Sequence, residues 1–449
     1  MTQCLGQVEF GILHGKRVKG GFDGGDISSD GGLMLLARVE AKLGLVEKLS
    51  NCLTDTRQRS KVVHSVGELL LQRVYQILAG YEDCNDADDL RYDPVLRLCV
   101  GRLPGSQPAL ASQPTLSRFE NSIGVDELWA MADVLVDVFI SQYADSQPRQ
   151  IILDFDATDD PTHGQQQLSG FHGYYDTHCY LPLIVTAQVD GGPHELLGTL
   201  LRKGKCHAGH RATAVLKLLV KRLREQWPSV QIMIRGDSGF AKPRLYEWCE
   251  RNGVKYLIGL VTNSKLVELG EPYMKIAREQ YEKTGEKVRH VHNGVYKAGS
   301  WPYYRRVLIK SEVMDAGENP RFVVTNLSGL PGELYDLYAM RGDMENRIKE
   351  LKCDLAMDRT SCHRFVANQF RLFLHNAAFV LLSFLRKLLA GTDLATAQAC
   401  TLQRKLIKVG VLVSESVRRV RLAFASSYPL QAIWQHVLLQ LMPPPAGSG

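Results

Sequence analysis

The chain has 449 residues, of which 45% are hydrophobic and 23% are charged, ordinary usage for a globular protein of two or more domains. Its formal net charge of +6 and its pI near 8.7 permit a polyanionic partner without requiring one. The ten cysteines lack disulfide-framework or zinc-ligand spacing, the N-terminus lacks a signal-peptide pattern, and the longest apolar run is too short to span a bilayer, so we expect a cytoplasmic protein with no membrane partner.

Residues 1–147 are predicted to be mostly helical and to form an N-terminal DNA-binding region. Segments 28–49 and 64–81 carry apolar residues at helical spacing, the first after a Ser/Asp start signal. Segment 112–143 predicts a short helix, a glycine-containing turn and a longer helix. This pattern is compatible with helix-turn-helix DNA binding, but any helical bundle produces it as well.

The hydrophobic period changes near residue 150, and residues 148–262 predict alternating strands and helices. The first three strands are followed by helix, strand, helix and strand. This order is that of the ribonuclease H-like fold, in which three antiparallel strands continue into parallel ones. The predicted elements are strands 150–158, 180–190 and 195–204, helix 211–227, strand 230–237, helix 243–253 and strand 254–260.

The same fold needs a further helix, which segment 332–355 supplies after a β-rich insertion at 263–331. We assign 332–370 to the last part of the core and 371–449 to a helical C-terminal region with a basic segment at 401–424. The predicted fold class is therefore an α/β ribonuclease H-like catalytic core with a β-rich insertion, flanked by helical N-terminal and C-terminal regions.

Carboxylates follow two strands that this fold places side by side. Asp154 and Asp156 share one face at the end of the first strand, and Asp237 ends the fourth. Two carboxylates brought together repel each other unless a cation lies between them, and Mg²⁺ suits a site of few carboxylates and several waters. With Glu345 from the late helix, the set could hold two metal ions that act on a phosphodiester.

The late helix carries an ordered polar row beside an apolar stripe. Tyr338, Arg341, Glu345 and Lys352 fall within about 60° of one another on a helical wheel. A solvated helix face with an Arg341–Glu345 pair is the simpler interpretation, but it does not explain the tyrosine and the lysine. Lys352, Tyr338 and Arg341 could each contact a phosphate.

Two other polar groups have simpler interpretations. The basic residues of helix 211–227 are more typical of a solvated face than of a DNA contact. Five histidines fit no zinc-ligand spacing and are interpreted as residues of loops or of the surroundings of the site: His163, His172, His178, His207 and His210.

The spacing Tyr-(2)-Arg-(3)-Glu-(6)-Lys resembles the signature of DDE-type insertion-sequence transposases. The segments LDFDATDDPTHGQQ, RGDSGF, ENRIKELK and FDGGDISSDGGLMLL are similar to the insertion-sequence thirteen-eighty family, DDE domain group one. The resemblance covers nearly the whole chain. It implies a DNA transposase that cleaves at terminal inverted repeats and transfers strands into target DNA by cut-and-paste. It also implies a protein of the bacterial cytoplasm that is associated with the nucleoid when bound to DNA.

The resemblance also implies the roles of individual residues. Asp156, Asp237 and Glu345 form the metal-binding catalytic triad, with Asp154 as the alternative first carboxylate. Two Mg²⁺ ions are expected, for which Mn²⁺ can substitute. Water and then the freed 3′-hydroxyl act as nucleophiles, with a hairpin as the intermediate for second-strand cleavage. Tyr338, Arg341 and Lys352 contact DNA.

In related transposases a tryptophan of the insertion stacks on a flipped base, and Trp301 is the candidate here. The alternative, a tryptophan in the core of the β-rich segment, remains open. The partners implied are DNA and a second copy of the chain, with no small-molecule substrate. Two other functions stay open, a metal-dependent nuclease without strand transfer and a non-catalytic DNA-binding derivative.

Overall fold

The structure is a computed structural model that describes residues 8–442, and these residues divide into two compact units. The first unit contains residues 8–123, 354–356 and 377–442. The second contains residues 124–353 and 357–376. All the residues predicted to form the catalytic site belong to the second unit.

The strands and helices occur in the following order along the chain. The strands are β1 (Val8–Leu13), β2 (Lys16–Gly20), β3 (Ile27–Ser28), β4 (Gln150–Ala157), β5 (Asp160–Pro161), β6 (Gly170–His172), β7 (Thr177–Tyr180), β8 (Leu183–Val189), β9 (His194–Leu200), β10 (Gln231–Gly236), β11 (Lys255–Gly259), β12 (Val288–Tyr296), β13 (Arg305–Met314), β14 (Gly317–Glu318), β15 (Arg321–Thr325), β16 (Val411–Ser416) and β17 (Arg419–Phe424). The α-helices are α1 (Leu33–Leu43), α2 (Leu45–Ser50), α3 (Val66–Leu78), α4 (Ala87–Leu90), α5 (Pro94–Val100), α6 (Gln113–Ser122), α7 (Val125–Ser141), α8 (Ala212–Gln226), α9 (Pro243–Arg251), α10 (Ser264–Thr284), α11 (Pro331–Ala339), α12 (Gly342–Lys349), α13 (Phe365–Leu388), α14 (Ala399–Leu402) and α15 (Gln431–Leu441).

A mixed nine-stranded sheet forms the centre of the second unit. Its strand order is β12-β13-β15-β11-β10-β4-β8-β9, with β14 paired to β13. Strand β8 pairs antiparallel with both β4 and β9, whereas β10 runs parallel to both β4 and β11. The predicted adjacency of the first and fourth strands of this region is therefore confirmed.

The inserted segment does not form a sheet of its own, because its strands continue the central sheet. Strand β15 pairs antiparallel with β11, and β13 and β12 follow outward. The segment also contains α10, a helix of 21 residues that the sequence analysis did not predict. Asn263 caps this helix by accepting a hydrogen bond from the N–H of Leu266.

Helices cover both faces of the central sheet. On one face, Ile151 and Leu153 of β4 belong to a core shared with α7, α8 and α9. On the other, Ile152 packs with Leu334 of α11. Because side chains alternate along a strand, Asp154 and Asp156 point to the face that α11 covers. Each fully buried aliphatic side chain of these cores contributes about 1.5–3 kcal/mol.

The first unit contains the helices predicted for segments 28–49 and 64–81. The first is broken at Gly44, whose φ is +60°. Helix α3 begins with a capping box, in which Ser65 and Glu68 each accept a backbone hydrogen bond from the other. Gly32 approaches another backbone so closely that a Cβ there would lie 1.8 Å from the carbonyl oxygen of Leu406.

The prediction of a wholly helical C-terminal region is wrong. The basic segment 401–424 contains the hairpin of β16 and β17, which pairs with β3. Buried and exposed residues alternate along β16 up to Ser414, the period of a half-buried strand. Near the N-terminus, β1 and β2 form a second hairpin. Residues 1–7 and 443–449 lie outside the described residues.

Helix α13 is the one described helix that is long and apolar enough to cross a membrane, by length and composition. Its most apolar window is 83% buried inside the protein. Such burial is typical of a core helix, and polar residues such as Gln369 and Asn376 hydrogen-bond to strand β9 within the second unit.

Candidate active site

Asp156 and Asp237 lie side by side at the carboxyl ends of two adjacent parallel strands. The register of β4 and β10 pairs Ile152 with Met233 and Asp154 with Arg235. Asp237 follows β10 with an extended backbone, φ −75° and ψ −173°. The alternation that places Asp154 beside Arg235 therefore places Asp156 beside Asp237, on the sheet face covered by α11.

Asp154 occupies a different environment from Asp156. Its two carboxylate oxygens each accept a 2.7 Å hydrogen bond from the guanidinium of Arg235, and both side chains are fully buried. His194 Nδ1 lies 3.3 Å from the same carboxylate. Burial lowers the pKa of His194, so its ring is neutral at pH 7. Asp154 is already satisfied as the partner of a buried arginine.

The segment predicted as one helix over 332–355 consists of three pieces. Helix α11 ends at Ala339, α12 begins at Gly342, and a π-helical turn spans Glu350–Asp354. At the break, the N–H of Arg341 donates to the carbonyl of Tyr338 at 3.1 Å, one residue tighter than an α-helical bond. The polar row is therefore not one continuous α-helical face.

Tyr338 reaches the ends of the parallel strands beside Asp237. A Cβ on Gly259, the last residue of β11, would lie 2.7 Å from the Tyr338 hydroxyl and 3.5 Å from the Asp237 carbonyl carbon. Only glycine leaves room for the phenol there. Burial raises the pKa of Tyr338, so the phenol remains a neutral hydrogen-bond donor at pH 7.

Arg341 connects the first and last carboxylates of the predicted triad. Its guanidinium lies 3.0 Å from Asp156 Oδ2 and 3.2 Å from Glu345 Oε1. Burial opposes the charge of Arg341, but the surrounding acidic groups, Asp156 foremost, outweigh it and raise the pKa of the guanidinium. The Arg341–Glu345 pair expected for a simple helix face is present, and it is extended to a carboxylate on the sheet.

The ionisation of Asp156 reflects competing neighbours. Burial raises the pKa of Asp156 to about 6, with Arg341 opposing the shift and Asp237 adding to it. Its side chain is 14% exposed. The ionised form of such a carboxylate is stabilised by any additional cation that binds beside it.

The donor chemistry fits a divalent ion, although the three carboxylates are not gathered around one point. Among residues 8–442, no group of three or more His, Cys, Asp or Glu side chains is close enough together to hold a metal ion. Glu345 is 63% exposed and reaches the others only through Arg341. Asp156 and Asp237 therefore fit a cation as a pair, and Glu345 can join them if Arg341 gives up its bond to Asp156.

Lys352 contacts protein groups on the segment that follows β4. Its ammonium donates to Asp159 Oδ1 at 2.9 Å, to the Asp159 carbonyl at 2.8 Å and to Thr158 Oγ1 at 3.2 Å. The π-helical turn changes the direction of this side chain relative to the rest of the row. Lys352 thus holds the segment beside Asp156, and any phosphate contact would compete with these bonds.

Trp301 lies in the core and not on the surface. It is 5% exposed, and its ring makes edge contacts with Tyr246 and Tyr296 at centroid distances of 5.4 Å. The guanidinium of Arg305 lies 5.4 Å from the same ring. These contacts support the core alternative for Trp301 and leave no open face for a stacked base.

Several residues that shape the site were not predicted from the sequence. Arg235 has a detectable signal, because it alternates with Asp237 on a strand predicted to lie beside Asp154. The contacts made by Asp159 and Thr158 have no such signal, because they depend on the π-helical turn that directs Lys352.

A family model described as "Transposase DDE domain group 1" matches residues 10–445, nearly the whole chain. The chain belongs to this family. DDE transposases act on DNA, break and rejoin phosphodiester bonds, and in general use divalent metal ions, so the family supports a transposase function for this chain. Comparison with curated proteins finds no match.

Proposed function

We propose that this member of the family is an active DNA transposase of an insertion sequence, with a ribonuclease H-like catalytic core. The family match supports the transposase function, and the sequence segments similar to the insertion-sequence thirteen-eighty family support the finer assignment. The strand order β9-β8-β4-β10-β11, three antiparallel strands continuing into parallel ones, supports the core assignment. The reaction is cleavage at terminal inverted repeats followed by transfer of the 3′-hydroxyl end into target DNA.

One observation carries the proposal: Asp156 and Asp237 are adjacent at the carboxyl ends of parallel strands, beside Arg341 and Tyr338 from the covering helices. Ligand sites in open α/β sheets are typically found at such strand ends. The bidentate bond of the neighbouring Asp154 to Arg235 supports the choice of Asp156 over Asp154 as the first carboxylate of the site.

In the proposed active state, Asp156, Asp237 and Glu345 would be the residues that hold Mg²⁺, with two ions expected. Bound Mg²⁺ lowers the pKa of water and stabilises negative charge at a phosphodiester. Arg341 exchanges its bond to Asp156 for a non-bridging phosphate oxygen, which removes the competing charge from Asp156. The neutral Tyr338 hydroxyl donates a hydrogen bond to the same phosphate region, and Lys352 keeps the segment after β4 in place.

The remaining assignments follow from the requirements of the reaction. Two element ends must be joined, so a homodimer forms on paired ends. The N-terminal region, together with the basic segment 401–424, recognises the terminal repeats. The protein acts in the cytoplasm, where it associates with the nucleoid through DNA.

The test is cleavage and joining of a labelled duplex that carries the element's own terminal repeats, with Mg²⁺ and a target plasmid. Glu345→Gln is expected to abolish both products, whereas Asp343→Asn, two residues earlier on the same helix, is expected to leave them unchanged. Cleavage without joining by the wild type would indicate a nuclease. Equal activity of both variants would contradict the proposal.

A further inference from the structure

The loop before α8 lies directly against the turn that carries Asp237. A Cβ on Gly209 would lie 2.8 Å from the carbonyl oxygen of Gly239, and a Cβ on Gly239 would lie 2.6 Å from the Cβ of Ala208. The two loops therefore touch through their backbones. Any side chain at the edge of this contact lies next to the proposed catalytic carboxylates.

Two nitrogen-bearing side chains meet at this edge. His207 Nε2 and Lys242 Nζ are 3.1 Å apart, and both side chains reach solvent. The other ring nitrogen, His207 Nδ1, accepts a 3.1 Å hydrogen bond from the N–H of Gly209. An imidazole whose Nδ1 accepts carries its proton on Nε2.

The pair therefore presents two donors to one point. The Nε2–H of His207 and the ammonium of Lys242 both have protons to give, and a lysine ammonium has no lone pair with which to accept. Two donors this close to each other repel. An anionic oxygen that accepts a hydrogen bond from both would remove this repulsion. Burial, followed by the charge of Lys242, lowers the pKa of His207, which agrees with a neutral ring.

A second histidine adds to the same environment. His172 is close enough for its charge to affect His207, and its buried Nδ1 atom has no hydrogen-bond partner. Lys242 also precedes α9 as its N-cap residue, where the helix dipole favours an anion. Within residues 8–442, the side-chain hydrogen bonds of His207 and Lys242 are with each other and with Gly209, and none is to a carboxylate. The nearby acidic group that acts on the charge of His207 is Asp237.

We propose that His207 and Lys242 form a binding site for one DNA backbone phosphate, next to the phosphodiester that is cut. This inference rests on the proposed function, which supplies the DNA. The contact is independent of base sequence, because phosphates position a duplex without specifying it. It would fix the strand against Asp237, so that His207 and Lys242 act as substrate-positioning residues.

The experiment measures equilibrium binding of the terminal-repeat duplex in Ca²⁺, without cleavage, over a range of salt concentrations. Lys242→Gln is expected to reduce the slope of log K against log [salt] by about one, because one fewer phosphate is neutralised by a cation. Lys242→Arg retains the charge and is expected to retain the slope. His207→Gln is expected to weaken binding without changing the slope, because the lost donor is neutral.

Two controls make the outcome decisive. Lys283→Gln, an exposed lysine at the end of α10, is expected to leave affinity and slope unchanged. Replacing individual phosphates with neutral methylphosphonates is expected to remove the difference between wild type and Lys242→Gln at one position beside the cleaved bond. An unchanged slope for Lys242→Gln, or no such position, would overturn the proposed phosphate site.

The variant Asp237→Asn separates this inference from the proposed function. If Asp237→Asn loses cleavage while the Lys242→Gln slope is unchanged, the phosphate site alone is wrong. If Asp237→Asn still cleaves while the Lys242→Gln slope falls by about one, the catalytic assignment is wrong and the phosphate contact stands.

Discussion

Arg235 and Asp154 form a fully buried, bidentate ion pair two residues before Asp237 and Asp156 on the same two strands. Successive pairs of residues on one face of the sheet therefore differ in their charge balance. At the inner position a carboxylate is neutralised by an arginine, and at the outer position two carboxylates face each other. A bound cation would therefore stabilise the outer pair of carboxylates, whereas the inner carboxylate is already paired with an arginine.

The inner ion pair is expected to be essential for stability. Arg235→Met leaves the charge of Asp154 buried without its partner, which should reduce the free energy of unfolding by about 3–5 kcal/mol. The double variant Asp154→Leu with Arg235→Met should recover much of this loss, because it removes both charges. Urea unfolding measures both changes, and a loss below about 1 kcal/mol for the single variant would contradict the buried-pair interpretation.

Asp156 is expected to destabilise the folded protein in the absence of metal. Its folded pKa of about 6 exceeds its ordinary value of 3.8, so its ionisation costs the folded state nothing below pH 3.8 and reaches its full cost above pH 6. About 2 pH units correspond to at most about 3 kcal/mol. Asp156→Asn should therefore unfold at higher urea than wild type at pH 8 and at the same urea near pH 4.

The reverse pH dependence would contradict this interpretation of Asp156. Asp343→Asn, on the exposed part of α12, provides the control and should show no such pH-dependent gain. Addition of Mg²⁺ should reduce the advantage of Asp156→Asn at pH 8, because a bound cation stabilises only the wild-type carboxylate.

Arg341 is expected to compete with metal for Asp156. Arg341→Gln should bind Mg²⁺ roughly tenfold more tightly, equivalent to about 1.4 kcal/mol, because one nearby positive charge is removed. The same variant should cut DNA more slowly, since it lacks the proposed phosphate contact. Titration calorimetry measures the affinity, with Arg251→Gln from a surface pair as the control. Weaker Mg²⁺ binding by Arg341→Gln would show that Arg341 does not compete.

Trp301 is expected to act in folding. Trp301→Ala should lower the free energy of unfolding by about 3–5 kcal/mol through the loss of a buried aromatic ring. Tyr304→Ala, three residues later and largely exposed, should change stability by about 0.5 kcal/mol or less. Both variants should bind DNA normally per folded molecule. Normal stability of Trp301→Ala with defective cleavage would instead support base stacking.

Much of the central sheet could be predicted from the sequence because its strands are short, apolar and separated by turn residues. The order of elements from β4 to β11 then limits the topology, and the adjacency of Asp156 and Asp237 follows from it. Helix α10 was missed because a long amphipathic helix with Pro272 in its interior resembles a loop between β-rich segments. The hairpin of β16 and β17 was missed because its basic residues favoured a helical interpretation.

The finer geometry of the site could not be predicted for a different reason. In segment 338–352, Gly342 has low helix propensity and is a weak local signal for the break at Arg341, but nothing local marks the π-helical turn at Glu350–Asp354. Both depend on tertiary contacts, such as the bond from Arg341 to Asp156 and the bonds from Lys352 to Asp159. Long-range pairs of this kind decide which carboxylate is open to a cation.

The most direct test of the central claim is single-turnover cleavage of the terminal-repeat duplex in Mg²⁺ by wild type, Asp156→Asn and Asp237→Asn. Both variants are expected to fold and to bind DNA, and to cut at least roughly 10³-fold more slowly, because several kcal/mol of charge stabilisation is lost. Cleavage by either variant within tenfold of wild type would contradict the assignment of these adjacent carboxylates as the catalytic pair.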